Sequence, residues 1–214
     1  VGIVFGLYPA KAAARLDPSY YDLLASEARL ASFIAIAKGD VPQVHWFHLG
    51  RATTNVRGVP VLLSWSATMF EYLMPLLVMR SYPETLLDES CRAVVRRQID
   101  YARTRDVPWG VSESAYATVD RHGTYQYRAF GVPGLGLKRG LGEALVVSPY
   151  ASALAAVYEP AAVAANFRRL DRLGLASPYG FVEAIDYSQP DAETGAPDPD
   201  GVVVSTCMAH HQGM

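Results

Sequence analysis

Six carboxylates stand out because they sit within apolar or aromatic runs: Asp22, Glu27, Glu71, Glu113, Glu183 and Asp186. Glycosyl transfer at an anomeric carbon requires two carboxyl groups in different protonation states. One protonates the leaving oxygen, and the other is ionised and acts as nucleophile or base. On a helical wheel Glu27 falls within about 60° of Leu23, Leu30 and Ile34, so it is expected to point inward with a raised pKa, as an acid does. Glu113 lies between Ser112 and Ser114, whose hydroxyls are expected to stabilise its anion, as a nucleophile needs. The competing expectation is structural: a Glu on an apolar face pairs with an arginine from a neighbouring helix.

Aromatic residues concentrate where helical periodicity is lost: Trp46, Trp109, Tyr116, Tyr125, Tyr127, Phe130, Tyr179, Phe181 and Tyr187. Such rings either stack on the C–H faces of sugars or anchor their loops to the core. Gly110-Val-Ser-Glu-Ser114 has the outline of a nucleophile elbow, but its last position is Ser rather than Gly and no parallel sheet is expected around it. Gly134-Leu-Gly-Leu-Lys-Arg-Gly140 has the wrong final spacing for a dinucleotide fingerprint. His45-x-x-His48 and His210-His211 supply imidazoles, but no third ligand at characteristic spacing, so neither metal nor cofactor is expected.

The elements that must position these groups read as helices joined by irregular loops. Asp17-Pro18 is a helix-start signal, and an apolar pattern continues to Lys38 before Gly39, predicting a helix over 17–38. A second, buried helix is expected over 60–79 with a kink at Pro75, placing Glu71 in line with Leu63, Ala67, Met74 and Val78. A third, amphipathic helix is expected over 83–105. From 107 to 142 Gly, Pro and aromatics accumulate, marking a long functional loop. Further helices are expected over 149–156 and 160–173, with short extended runs over 179–187 and 202–205 and a solvated acidic loop over 189–201. This pattern lacks the alternating strands of an α/β protein and predicts an all-α architecture, with a toroid of paired helices as its best frame.

A chain of 214 residues, half of them hydrophobic, can bury a sizeable core. The net charge of −2 and scattered Lys and Arg offer no stripe for phosphate backbones, so no nucleic-acid partner is expected. Cys91 and Cys207 are far apart and suit a reducing compartment. The apolar stretch from Trp65 to Met79 contains Ser66, Thr68, Glu71 and Pro75, too polar for a lipid span. Val1-Gly-Ile-Val-Phe-Gly-Leu-Tyr-Pro does not read as a signal peptide, and the ending Met208-Ala-His-His-Gln-Gly-Met214 suggests truncation.

Six ordered blocks together resemble the glycoamylase-like domain of bacterial cyclic β-1,2-glucan synthases. They begin at Tyr20 (YYDLLASEARLAS), Trp65 (WSATMFEYLMP), Trp109 (WGVSESAY), Phe130 (FGVPGLGLKRG), Tyr179 (YGFVEAIDY) and Met208 (MAHHQGM). The resemblance covers 16–214, leaving 1–15 as a divergent or non-native segment. It implies an (α/α)6 toroid, of which this chain is part, and an anomer-retaining transglycosylase that closes linear β-1,2-glucan into a ring. It also implies further domains in a larger synthase at the cytoplasmic face of the bacterial inner membrane. Position by position, the catalytic pair falls on Glu113 and Glu27, with the acid/base acting through a substrate hydroxyl. Asp22, Trp46, Trp65, Glu71, Trp109, Tyr116, Tyr127, Glu183, Asp186, Tyr187, His210 and His211 are then the candidates to hold glucose units. Hydrolysis of β-1,2-glucan and non-catalytic glucan binding remain alternatives.

Overall fold

A computed structural model describes residues 22–190 and 198–214. The divergent segment 1–15 and the predicted helix start at Asp17 lie outside the described residues, as does the middle of the acidic loop.

Helix α1 (Arg29–Lys38) ends where Gly39 takes a left-handed φ of 78° and its N–H caps the Ala35 and Ile36 carbonyls. It starts later than the sequence predicts. Over 22–28 the backbone turns instead, because Leu24 N–H donates to the Gly50 carbonyl (2.9 Å) and Gly50 N–H to the Asp22 carbonyl (2.6 Å). These long-range bonds replace helical ones. Helix α2 (Val44–His48) follows, and strands β1 (Thr53–Val56) and β2 (Val59–Leu62) form a hairpin.

That hairpin replaces the first turn of the helix predicted over 60–79. Arg57 and Gly58 both have positive φ, 53° and 87°, the backbone of a two-residue turn matched to strand twist. Helix appears only at α3 (Met69–Leu73), which passes into a 3-10 turn over Met74–Leu77 where Pro75 lacks a donor. Helix α4 (Leu86–Arg103) matches the third predicted helix. Thr85 accepts the Asp88 N–H at its start, Asp88 and Glu89 occupy the first turn, and Arg103 occupies the last, all favourable to the helix dipole. Its buried stripe, including Cys91, Val94, Val95 and Ala102, packs against β2, where Ser90 Oγ accepts the Leu62 N–H at 2.9 Å.

The long loop predicted over 107–142 contains a second hairpin, β3 (Ser114–Val119) with β4 (Tyr125–Arg128). Its exposed tip, 120–124, closes on itself: Asp120 Oδ1 accepts the N–H groups of His122 (2.8 Å) and Thr124 (3.0 Å). The loop that follows lies against 64–68 so closely that a Cβ on Gly131 would stand 1.8 Å from the Ser66 carbonyl oxygen. Strand β5 (Val146–Val147), helix α5 (Pro149–Leu154) and helix α6 (Pro160–Arg172) come next, both helices as predicted and both opened by proline. Strands β6 (Ala176–Ser177) and β7 (Gly180–Phe181) pair, while β8 (Ala184–Asp186) is flanked by β5 and β9 (Val202–Val204). The extended run predicted over 179–187 is thus split in two. The short helix α7 (Ala209–Gln212) completes the described residues.

The all-helical expectation is met in part: helices α3, α4, α5 and α6 frame a core that the strands complete. Tyr72, Leu62, Met69, Leu135, Leu170 and Ile185 are almost fully buried in it. Each such side chain contributes about 2–3 kcal/mol of burial energy. No helix among the described residues is long and apolar enough to cross a membrane.

Candidate functional site

Glu113 stands at the end of an immobilised backbone segment. Gln98 of α4 pairs with Val111 as a strand neighbour would, its Nε2 donating to the Val111 carbonyl (2.7 Å) and its Oε1 accepting the Val111 N–H (2.9 Å). Asn166 of α6 does the same for Trp109, at 2.8 and 3.1 Å. Gly110 has φ 130° and touches α5, where a Cβ would lie 2.7 Å from the Ser148 carbonyl oxygen. The Tyr150 hydroxyl lies 2.9 Å from Ser112 Oγ and 2.8 Å from the Glu113 carbonyl. Gln98, Tyr150 and Asn166 were not among the sequence candidates. Their signal was weak, polar residues on otherwise apolar helix faces.

The serines flanking Glu113 do not stabilise its carboxylate. Ser112 Oγ accepts the Phe70 N–H (3.1 Å) and faces Tyr150, while Ser114 Oγ is buried without a partner. The carboxylate partner is Tyr127 of β4, whose hydroxyl donates to Glu113 Oε1 at 2.9 Å. Burial raises the Glu113 pKa, the Tyr127 hydrogen bond opposes that rise, and the Glu27 charge adds to it.

Glu27 is half-buried, in the turn before α1, and accepts a hydrogen bond from Ser26 Oγ at 3.0 Å. Its position follows from Arg29, two residues on. The buried Arg29 guanidinium donates to the carbonyls of Ser26 (2.9 Å), Glu71 (2.8 Å) and Tyr72 (2.5 Å), tying this turn to the negative end of α3. Glu27 raises the pKa of both Glu71 and Glu113 through its charge, so the three carboxylates share one field. Among the described residues neither Glu27 nor Glu113 forms an ion pair with Arg or Lys, so the expected structural pairing is absent.

Other candidates divide by what their polar atoms already hold. Glu71 is committed to the fold: its carboxylate accepts from Ser64 Oγ, the Ser66 N–H, and the Thr68 N–H and Oγ1, closing a capping box on α3. Asp186 accepts from the Ala117 N–H (3.0 Å), Ser188 N–H (2.8 Å) and Gln189 Nε2 (2.8 Å), joining β8 to β3. Trp109 and Tyr187 are buried in the core, and Trp46 packs on it half-buried. The two carboxylates are thus occupied within the fold, and Trp109 and Tyr187 have little ring surface left for a sugar. Asp22 and His210 are exposed, while Trp65 is half-buried with its indole N–H unpartnered.

Four residues predicted separately come together around Tyr127. Beyond Glu113, the Tyr127 hydroxyl lies 3.5 Å from His211 Nε2, and His211 Nδ1 lies 2.8 Å from Glu183 Oε1. His211 stacks on Tyr150 (3.7 Å, 15°) with His210 beside it. A cavity of about 260 Å³ lies behind this group, lined by Glu183, His211, Phe167 and Phe181. A second, of about 220 Å³, is lined by Tyr116, Arg128, Phe130 and Asp186. Neither is lined by Glu27 or Glu113. His45, of the His45-x-x-His48 pair, lies within hydrogen-bonding distance of Ser32 Oγ at 3.0 Å. No group of three His, Cys, Asp or Glu among the described residues is placed to hold a metal ion.

The comparison that decides the family covers residues 19–214, which match the Glycoamylase family model, described as "Putative glucoamylase". The chain belongs to the Glycoamylase family. Within it, the cyclic beta-(1,2)-glucan synthase NdvB of Rhizobium meliloti is 48% identical over 202 residues, 93% of this chain but 7% of that protein. The chain therefore spans a small part of that relative. Among solved structures, a "putative glucoamylase" from Bacteroides uniformis is similar at TM-score 0.50 and 18% identity, over 79% of this chain and 41% of that one. This likeness is one of fold. An endo-beta-1,2-glucanase from Chitinophaga pinensis, in complex with sophorotriose and glucose, aligns at TM-score 0.48 and 17% identity, over 79% of this chain and 42% of that one.

Proposed function

We propose that this Glycoamylase-family chain performs retaining transglycosylation on β-1,2-glucan, with Glu113 as nucleophile and Glu27 as acid/base. The observation that carries this reading is the half-buried Glu113 carboxylate, held by one tyrosine hydroxyl and coupled in charge to Glu27 but to no arginine or lysine. Glu113 attacks the anomeric carbon and forms a glycosyl ester, while the leaving oxygen takes a proton relayed from Glu27 through a substrate hydroxyl. A sugar hydroxyl then attacks the same anomeric carbon, its proton returns to Glu27, and the bond to Glu113 breaks to release the carboxylate anion. When that hydroxyl belongs to the same glucan chain, a ring closes.

Exposed or half-exposed Asp22, Trp46, Trp65, Tyr116, Tyr127 and His210 are the sequence candidates still free to meet sugar. The frame of the whole domain is proposed as an (α/α)6 toroid, with this chain as part of it. The further domains and the inner-membrane location of a larger synthase belong to the same proposal, which the high identity to a short stretch of NdvB supports.

The test is incubation of the chain with linear β-1,2-glucan and mass analysis of products. Cyclisation appears as glucan lighter than its linear counterpart by one water, and Glu113→Gln removes it. Linear shortened products identify a hydrolase instead, and binding without cleavage identifies a glucan-binding domain. Cyclisation undiminished in the Glu113→Gln protein overturns the assignment of the nucleophile.

A further inference from the structure

Glu183 and His211 were predicted to bind sugar, yet their side chains are 0% and 1% exposed. They form a buried pair behind Tyr127. Glu183 Oε1 also accepts the Ala115 N–H at 3.2 Å, and Ala115 stands opposite Tyr127 in the β3–β4 register. One carboxylate oxygen thus anchors both the strand facing Tyr127 and the imidazole beside its hydroxyl.

A carboxylate only accepts, so His211 Nδ1 carries a hydrogen toward Glu183, and in the neutral ring Nε2 is left as an acceptor. The Tyr127 hydroxyl then has one proton and two acceptors, Glu113 Oε1 at 2.9 Å and His211 Nε2 at 3.5 Å. The groups facing His211 are Glu183 before β8, Tyr150 of α5, Tyr127 of β4, Glu113 before β3 and its neighbour His210 on α7. The ring is stacked on Tyr150, so it has little freedom to turn.

The geometry points to Glu183 and His211 as positioning residues that make Tyr127 a two-way donor, to the Glu113 anion before attack and to His211 Nε2 after it. This rests on the transglycosylation reading above. When Glu113 becomes a glycosyl ester it loses its charge and becomes a poorer acceptor. The tyrosine proton stays on its own oxygen throughout; only its hydrogen-bond partner changes. Without His211 the hydroxyl would lose its bond to the carboxylate and gain nothing as the ester forms.

The test joins a spectroscopic readout to a kinetic one. In the full chain with 15N-labelled imidazoles, nitrogen shifts are expected to show neutral His211 protonated at Nδ1. His211→Phe keeps the ring stacked on Tyr150 and removes the second acceptor. It is expected to lower kcat about tenfold or more with KM little changed. Tyr127→Phe is expected to move the acid limb of the pH profile upward, because the bond that opposes the raised Glu113 pKa is gone. Should His211→Phe fail to fold with Glu183 left unpaired, the double variant Glu183→Gln/His211→Phe removes that buried charge and is expected to show the same kcat loss. An Nε2–H or doubly protonated His211, or a folded variant with unchanged kcat, overturns the inference. A wild-type chain with the Nδ1–H tautomer but no action on glucan would instead overturn the proposed function.

Discussion

The Tyr127 hydroxyl donates to Glu113 Oε1 across 2.9 Å, and Tyr127 sits on the strand paired with the one that begins just after Glu113. Backbone register, rather than chance side-chain approach, sets this contact.

Burial is the largest influence on Glu113 and raises its pKa above the ordinary carboxylate value. A raised folded-state pKa stabilises the protein below the ordinary carboxylate range, and that contribution is lost as pH rises through the raised value. At neutral pH the ionised Glu113 is therefore a cost to folding. Glu113→Gln keeps an acceptor for Tyr127 and is expected to melt higher than wild type at neutral pH, by about 2–4 °C for each kcal/mol relieved. Thermal unfolding should show the gap closing in acid. Equal melting temperatures at neutral pH would contradict it.

Arg29 is expected to be indispensable to the Glu27 turn. Replacing it by Met leaves three carbonyls without their shared donor and should cost about 3 kcal/mol or more, read by urea denaturation. Arg29→Lys should rescue little, because one ammonium cannot reproduce the fork that spans Ser26 and Tyr72. A fully stable lysine variant would show that charge alone suffices.

Thr68 and Glu71 should act on stability rather than on sugar. Thr68→Ala removes an N-cap and is expected to cost about 1 kcal/mol. Glu71→Gln turns an amide donor toward a cluster of donors and should cost more, with glucan affinity of the folded protein unchanged. Weakened affinity at undiminished stability would restore Glu71 to the binding surface.

Those two residues also show where sequence reasoning reaches its limit. A short buried strand and a buried helix segment look alike in hydrophobic periodicity, so residues 60–62 of β2 read as the opening of a helix and Glu71 as one carboxylate on its apolar side. Helices α4 and α6 were legible because each carries its own start signals and a one-sided apolar stripe. Glu113 and Tyr127 were both legible as polar or aromatic residues in an irregular region. Their contact was not, because β3 reads Ser-Ala-Tyr-Ala-Thr-Val, with no alternation to announce a strand. The pairing of Glu183 with His211 bridges 28 positions that no local pattern links.

The two cysteines should differ sharply in reactivity. Burial pushes the Cys91 thiol up to about 11, while Cys207 is exposed. A thiol reagent at neutral pH is expected to titrate one group per native chain and two in denaturant. Two fast groups in the native protein would mean that the α3–α4 contact opens readily.

The β3–β4 hairpin divides its length between two kinds of inheritance. Its base, where Ser114 meets Arg128 and Ala115 meets Tyr127, is locked to the rest of the molecule through Glu183 and Tyr150. The tip at 120–124 is sealed by Asp120 alone and touches water. Insertions or deletions at the tip would lengthen or shorten the hairpin without altering the rungs below. Under the proposed function, such changes would alter which hydroxyl, water or sugar, approaches Glu113 while leaving that residue where it is.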